Sequence, residues 1–277
     1  MKKISSCPVC RNNNKFSSKF KYHKKPAVET NYNFFKNKNY SRAYLICNIC
    51  SHWFSNYSFN TKKFYTGDYK NASYSNYKLT FNKIISLPNK KSDNHYRIKR
   101  IDHFIKKRFK IKPSILDIGS GLGIFPYSAR IMNYKCDCLD PDPEMHSHLK
   151  INAKCNKVYS FDFNKFICKR KYKFITLNKV LEHVDKPIKF IRKINEILTN
   201  DGYVYIELPD TDVANKFGKE REEFSIEHVQ AFTLNSINFL LNNNNFIIEK
   251  FNRIKEPSGK FTFYIFAKKL IKQSILV

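Results

Sequence analysis

From residue 92 onward, short apolar runs typical of buried strands alternate with segments whose apolar positions recur at helical spacing. Ser92 or Asp93 caps a predicted helix in which Ile98, Ile101 and Ile105 share one face. Seven strands are predicted after it, at 114–118, 135–139, 157–160, 174–177, 203–208, 246–251 and 261–267. Helices are predicted among them at 125–132, 142–153, 186–198 and 233–241.

This alternation indicates a mostly parallel sheet with helices on both faces, which is a Rossmann-like, doubly wound α/β fold. The last two strands follow each other without a helix, so we expect them to pair antiparallel. Nearer the amino terminus, residues 43–46 alternate well enough to predict one further short strand.

The chain has 277 residues, of which 42% are hydrophobic, and a formal net charge of +28. Lysine greatly outnumbers arginine and asparagine is abundant throughout, which we interpret as a coding bias spread over the whole surface. A polyanionic partner is the alternative. No apolar run is long enough to cross a bilayer or to act as a signal peptide, so a cytoplasmic protein is expected.

A glycine loop follows the first strand of the alternating region. Asp117, Gly119, Gly121 and Gly123 form a D-x-G-x-G-x-G pattern in which Ser120 lies between the first two glycines. Such glycines permit a tight turn and a close approach of the backbone to a ligand at a helix start. The third glycine comes too early for the dinucleotide fingerprint, so the ligand need not carry a pyrophosphate.

An acidic residue at the end of the next strand supports a nucleotide-type ligand. Asp140, followed by Pro141, ends that strand, and a carboxylate there can accept hydrogen bonds from both ribose hydroxyls. The alternative is a glycine turn that only packs a strand against a helix. The strand, loop and acid together favour a bound cofactor.

Residues 95–268 resemble the class I S-adenosylmethionine-dependent methyltransferases. Within this range, 180–184 resembles the segment after their fourth strand and 203–209 resembles their fifth strand. The resemblance implies ten cofactor-binding residues: Asp117, Gly119, Ser120, Gly121, Gly123, Asp140, Pro141, Asp162, Phe163 and Asn178. It places Asp140 at the ribose, Asp162 and Phe163 near the adenine, and Asn178 in the reaction pocket.

Four cysteines near the amino terminus form two C-x-x-C pairs, Cys7 with Cys10 and Cys47 with Cys50. Together they can supply four thiolates to one tetrahedral zinc ion, and a site filled by four sulfurs is structural. Unligated thiols are the alternative, and His52 is a spare ligand if one cysteine does not bind. We therefore predict a zinc-binding module at 1–58, a connector at 59–91 and the cofactor-binding domain at 92–270.

Cysteine pairs followed by an aromatic segment such as 64–69 resemble the zinc-knuckle methyltransferases of sugar and surface-polysaccharide modification. Many of these carry a Glu-His pair ahead of the penultimate helix, where Glu227 and His228 stand here. The resemblance implies a sugar or nucleotide-sugar acceptor. It names neither the acceptor nor the atom methylated, and the oligomeric state stays open.

Loss of a proton from the acceptor calls for a base with a pKa near neutrality, which histidine provides. We take His228 as that base, with Glu227 orienting it or binding a substrate hydroxyl. A helix-entry pair bonded to backbone groups is the alternative. His183 is the second candidate, although its surroundings also suit a helix start that supports the pocket.

Two other functions remain open on the sequence alone. An RNA methyltransferase would use the zinc module and the basic surface to bind phosphates. A zinc-ribbon binding protein that has lost catalysis would show no affinity for the cofactor.

Overall fold

A computed structural model of the chain describes residues 5–13, 15–29, 40–57 and 76–271. The strands in these ranges are β1 (Phe16–Tyr22), β2 (Arg42–Cys47), β3 (Trp53–Tyr57), β4 (Ile115–Ile118), β5 (Cys136–Asp140), β6 (Val158–Ser160), β7 (Tyr172–Asn178), β8 (Leu198–Pro209), β9 (Gln230–Ala231), β10 (Phe246–Lys255) and β11 (Phe261–Lys269). The α-helices are α1 (Tyr77–Ile85), α2 (Asp93–Arg108), α3 (Ile124–Ile131), α4 (Met145–Ile151), α5 (Pro187–Ile197), α6 (Thr211–Ala214) and α7 (Leu234–Asn242).

Within the described residues, seven strands form the large sheet in the order β10-β11-β8-β7-β4-β5-β6. The five strands from β8 to β6 are parallel, whereas β11 pairs antiparallel with both β8 and β10. This confirms the predicted Rossmann-like sheet and its antiparallel final pair. The chain passes from β4 to β5 on one side and returns to β7 on the other, so a crevice opens at the carboxyl ends of β4 and β7.

Helices cover both faces of this sheet because successive strand residues point to opposite sides. Ile115 packs in a cluster with residues of α2 and α3, whereas its neighbour Leu116 packs in a cluster with residues of α5 and α7. On the α2 face, the rings of Phe104 and Phe266 stack with their centres 3.9 Å apart. The α2 helix begins as predicted, since the Ser92 hydroxyl accepts a hydrogen bond from the His95 amide.

Two elements begin three or more residues away from the predicted position, each for a local reason. The helix predicted from residue 142 begins at Met145, because the Asp142 carboxylate accepts the Glu144 amide and holds the chain in a turn. The strand predicted from residue 203 begins at Leu198, directly after α5, because Tyr172 of β7 already pairs with Leu198.

A second, four-stranded sheet has the order β1-β2-β3-β9, and each of its pairs is antiparallel. The prediction for residues 43–46 is confirmed by β2, but β1, β3 and β9 were not predicted. The β9 strand is two residues long and pairs Ala231 with Trp53 and Gln230 with Phe54. The N-terminal strands are therefore joined by a sheet edge to a segment far along the chain.

The predicted connector is only partly described, with α1 in its second half, and the aromatic segment 64–69 lies outside the described residues. Among the helices of the described ranges, none is long and apolar enough to cross a membrane. The domain boundaries at 58 and 91 stay predictions.

Candidate active site

The glycine loop lies at the carboxyl end of β4, at the crevice between β4 and β7. A Cβ atom at Gly119 would lie 2.7 Å from Val180 Cγ2, and one at Gly123 would lie 2.7 Å from Ala153 Cβ. A Cβ atom at Gly121, by contrast, would meet nothing within 4 Å. The outer two glycines thus allow close packing of the loop, while Gly121 faces open space.

Asp117 is buried directly beneath this loop. Its Oδ1 accepts hydrogen bonds from Thr176 Oγ1 at 2.6 Å and from Asn178 Nδ2 at 2.8 Å. Burial raises the pKa of Asp117 to about 6, although the bonds from Thr176, Ser120 and Asn178 oppose that rise. The carboxyl group therefore ties β4 to β7 at the crevice.

Asp140 reaches from the end of β5 to the glycine loop. Its Oδ2 accepts the Gly121 amide at 2.7 Å and its Oδ1 accepts the Asp142 amide at 3.0 Å. Each carboxylate oxygen has a second lone pair, so both oxygens can still accept a hydroxyl proton. Burial raises the pKa of Asp140 despite these bonds. Pro141, the next residue, is exposed.

The other predicted cofactor residues occupy different environments. Asn178 Oδ1 is buried and has no hydrogen-bond partner among the described residues, so it is an acceptor that a ligand can satisfy. Asp162 is exposed and accepts the Asn164 amide at 2.8 Å. Phe163 is buried against Phe190, with ring centres 4.6 Å apart. The placement of adenine at Asp162 and Phe163 stays a prediction.

The two candidate histidines lie side by side, although the sequence separates them widely. The rings of His183 and His228 are 5.0 Å apart and inclined by 71°. His183 Nδ1 bonds the Glu227 carbonyl at 3.0 Å and His228 Nδ1 bonds the Glu223 carbonyl at 2.9 Å. A carbonyl only accepts, so each Nδ1 donates, and Nε2 is the ring nitrogen that can present a lone pair.

Glu227 meets this pair through its backbone carbonyl, while its carboxylate accepts a hydrogen bond from Ser225 Oγ at 2.9 Å. The carboxylate that the structure brings to the histidines is that of Glu182. One ligand atom each from Glu182, His183 and His228 lie within 4.8 Å of one another. Sequence reasoning placed Glu182 only in a helix start. Its adjacency to His183 was the one available signal, because the approach of His228 depends on the fold.

The N-terminal sheet supports the segment that carries His228. Tyr44 Oη donates a hydrogen bond of 2.6 Å to the His228 carbonyl, and Arg42 donates one of 2.7 Å to the Phe224 carbonyl. Arg42 is itself buried in an ion pair with Glu29. The predicted metal-binding module thus contacts the backbone of the candidate active site.

The four N-terminal cysteines form one cluster. Their sulfur atoms lie within 4.8 Å of one another, with 3.6 Å between Cys7 and Cys50 and 3.5 Å between Cys10 and Cys47. Sulfurs bound to one zinc at about 2.3 Å lie about 3.8 Å apart, so these thiols fit such an ion. None of the eight cysteines, all described, forms a disulfide. His52 lies outside the cluster and bonds Gln230.

Comparisons with known proteins identify the fold that this site belongs to. A methyltransferase from Burkholderia thailandensis that acts on 1,6-didemethyltoxoflavin, solved with S-adenosylhomocysteine, is 15% identical with a TM-score of 0.56; the match covers 88% of this chain and all of that one. A SAM-dependent methyltransferase from Methanosarcina mazei is 18% identical with a TM-score of 0.52, covering 61% of this chain and 98% of that one. The magnesium protoporphyrin IX methyltransferase of Synechocystis, also solved with S-adenosylhomocysteine, is 13% identical with a TM-score of 0.55. That match covers 73% of this chain and 97% of the other.

No curated protein sequence matches the chain. A family model described as a methyltransferase domain matches residues 93–250, more than half of the sequence. That range contains the glycine loop, Asp140 and both histidines. The chain therefore belongs to the methyltransferase domain family and has the fold of the S-adenosylmethionine-dependent methyltransferases.

Proposed function

We propose that the protein transfers a methyl group from S-adenosylmethionine to a hydroxyl group of a sugar or nucleotide-sugar in polysaccharide biosynthesis. The observation that carries this proposal is the meeting of three features at one edge of the large sheet. These are the glycine loop, the Asp140 carboxylate and the pair of His183 and His228. The first two suit the cofactor and the third suits an acceptor that must lose a proton.

The cofactor would lie over Gly121, where a side chain would meet no protein atom within 4 Å. Asp140 would accept the ribose hydroxyls through the lone pairs that its amide partners leave. Asn178 Oδ1, a buried acceptor, would receive a donor of the ligand. S-adenosylmethionine supplies a methyl group already activated on a sulfonium, so the protein chiefly has to align the acceptor.

The acceptor oxygen would lose its proton at the histidine pair as its new bond to the methyl carbon forms and the bond from sulfur to that carbon breaks. His228 is the first candidate to take up the proton, since its Nδ1 donates to the Glu223 carbonyl and its Nε2 carries the lone pair. Burial lowers the pKa of His228 well below the usual value, so the ring is neutral at pH 7. Glu227 would assist through the carbonyl that holds His183.

The four clustered cysteines would hold a structural zinc ion that fixes the N-terminal sheet. Arg42 and Tyr44 of that sheet in turn bond the carbonyls at the two ends of the 224–228 segment. The zinc module would therefore act on catalysis by positioning His228. The sugar acceptor rests on the sequence resemblance of the cysteine pairs and of Glu227 and His228 to zinc-knuckle sugar methyltransferases.

Two measurements test the proposal. Calorimetry should give one bound S-adenosylmethionine per chain. If the chain does not bind this cofactor, the proposed methyl transfer is wrong and the non-catalytic zinc-ribbon protein is favoured instead. Labelled cofactor, offered with nucleotide-sugars or polysaccharide fractions, should then transfer its label to a carbohydrate. His228→Asn should lose most of that transfer while still binding the cofactor.

The net charge of +28 favours RNA as a second candidate acceptor. If label enters an RNA fraction and the affinity of the chain for that RNA falls steeply as the salt concentration rises, RNA and not a sugar is the acceptor. Methylation of a sugar should instead change little with ionic strength.

A further inference from the structure

The cluster of Glu182, His183 and His228 has a feature that proton transfer alone does not explain. Glu182 is 1% exposed, and neither of its carboxylate oxygens has a hydrogen-bond partner among the described residues. A buried carboxylate without partners is costly, and such groups in folded proteins are generally paired with cations or bound to metals. The arrangement therefore points to a ligand that satisfies both oxygens.

The two imidazoles beside Glu182 have the hydrogen bonds of metal ligands. Each donates Nδ1–H to a backbone carbonyl, His183 to Glu227 and His228 to Glu223. Bonds of this kind fix the ring orientation and the tautomer of histidines that bind metals, and they increase the basicity of the other nitrogen. A helix start needs side chains that bond its free backbone groups, but it does not need two oriented imidazoles beside a buried carboxylate.

The spacing of the three groups also fits one ion. Their ligand atoms lie within 4.8 Å of one another, and ligands about 2.0–2.2 Å from a metal lie about 3.0–3.5 Å apart. Small side-chain movements are enough to close that difference. Two imidazoles and one carboxylate form a common ligand set for first-row divalent ions, and it leaves coordination positions open.

We propose that Glu182, His183 and His228 bind a divalent transition-metal ion such as Zn²⁺ or Fe²⁺, whose open positions take an oxygen atom of the methyl acceptor. The site stands next to the glycine loop, because Val180, two residues before Glu182, packs against Gly119. The role for the acceptor rests on the proposed methyl transfer, whereas binding of the metal does not. A metal there would lower the pKa of the bound hydroxyl, so that its proton can pass to solvent water. His228 Nε2 would then bind the metal instead of taking up that proton itself.

This site differs in kind from the cysteine cluster. Four thiolates close a coordination sphere, whereas three N and O ligands leave room for water or substrate. The two sites can be distinguished in one sample by Co²⁺, because thiolate ligands give intense charge-transfer absorption in the near ultraviolet and N/O ligands do not.

The test is titration of the reduced, chelator-stripped full chain with Co²⁺ alone, in the absence of cofactor and acceptor. The wild-type chain should bind two equivalents, one with the thiolate absorption and one without it. Glu182→Gln and His228→Ala should lose the second equivalent while the thiolate absorption shows that the chain is still folded. His103→Ala, which removes an exposed histidine of α2, is the matched control and should bind both.

Each outcome decides the proposal. One equivalent without thiolate absorption, lost in Glu182→Gln, would support the site and contradict the zinc module. A single equivalent with thiolate absorption, or a second equivalent unchanged in both cluster variants, would overturn the site. Neither of these results bears on whether the chain binds S-adenosylmethionine, so failure of the metal site and failure of the proposed methyl transfer remain distinguishable.

Discussion

The hydroxyl of Tyr44 donates a 2.6 Å hydrogen bond to the backbone carbonyl of His228. Tyr44 lies in β2 of the N-terminal sheet and is fully buried, whereas His228 belongs to the candidate active site. The bond therefore links the cysteine-containing module to one of the two histidines that sequence analysis selected.

Tyr44→Phe should loosen the segment that carries His228. Removing the donor from a buried carbonyl costs about 1–3 kcal/mol, and the segment should exchange its amide hydrogens faster. Hydrogen exchange measured over residues 224–231 should rise, while the affinity for S-adenosylmethionine stays within about twofold. Tyr22→Phe removes a similar bond to the Lys219 carbonyl and serves as the control. Equal exchange in both variants would contradict the link.

Substitutions in the glycine loop should separate packing from cofactor binding. Gly119→Ala should destabilise the chain strongly, because its Cβ would overlap Val180 at 2.7 Å in a backbone with φ of +71°. Gly121→Ala should cost about 1–2 kcal/mol of strain alone, since its Cβ meets no protein atom. It should nevertheless weaken cofactor binding at least tenfold, because the methyl group enters the expected ligand space.

Gly259→Ala controls for the strain, as Gly259 also has positive φ and open surroundings but lies in the turn before β11. Thermal unfolding and calorimetry measure the two effects. Unchanged cofactor affinity in Gly121→Ala would show that the open space is not the binding site.

The pKa of Asp117 predicts a pH dependence of stability. Burial raises it from 3.8 to about 6, so the folded state holds the proton more tightly than the unfolded state. The stabilisation is complete below pH 4 and disappears as the pH rises through 6, a change of roughly 2–3 kcal/mol. Denaturant unfolding should be measured for the cofactor-free wild type and for Asp117→Asn. Between about pH 4 and pH 7 the free energy of unfolding of the wild type should fall relative to that of the variant. A difference independent of pH would refute the assignment.

Loss of one zinc ligand should affect the N-terminal sheet before the large sheet. Cys47→Ser should abolish bound zinc, increase hydrogen exchange in β1, β2 and the 224–231 segment, and leave the cofactor affinity within about threefold. The cysteine sulfurs bond one another, whereas the glycine loop is held by the Asp140 carboxylate at the end of β5. Cys168→Ser changes a half-buried cysteine outside the cluster and should alter none of these properties. Native mass spectrometry reports the zinc content.

The large sheet was predictable because its signals are local. The apolar run ending at Ile118, the cap at Ser92 and the turn before Phe261 each depend on neighbouring residues, and each was confirmed. The glycine loop and Asp140 were predictable for the same reason, since strand ends fix their relative position. Local patterns also explain the errors at Met145 and Leu198, where a turn and a pairing partner decide the boundary.

The rest of the site depends on contacts between distant residues. Nothing near Glu182 in the sequence indicates that His228 approaches it, and the two residues of β9 carry no strand pattern of their own. Sequence analysis chose Glu227 as the partner of His228 from the resemblance to sugar methyltransferases that carry a Glu-His pair. The structure places the Glu182 carboxylate at the histidines and the Glu227 carboxylate beside Ser225.

The pairing of Trp53 with Ala231 has a consequence for the order in which the chain folds. The strands β3 and β9 cannot pair until the ribosome has released residue 231. By that time most of the large sheet has been synthesised. Closing so long a loop is slow relative to the local steps that form α2 or the β10–β11 hairpin. The N-terminal sheet is therefore completed late, although β1 to β3 precede the large sheet in the chain. A truncated chain ending before residue 230 would leave the edge of β3 open to another molecule.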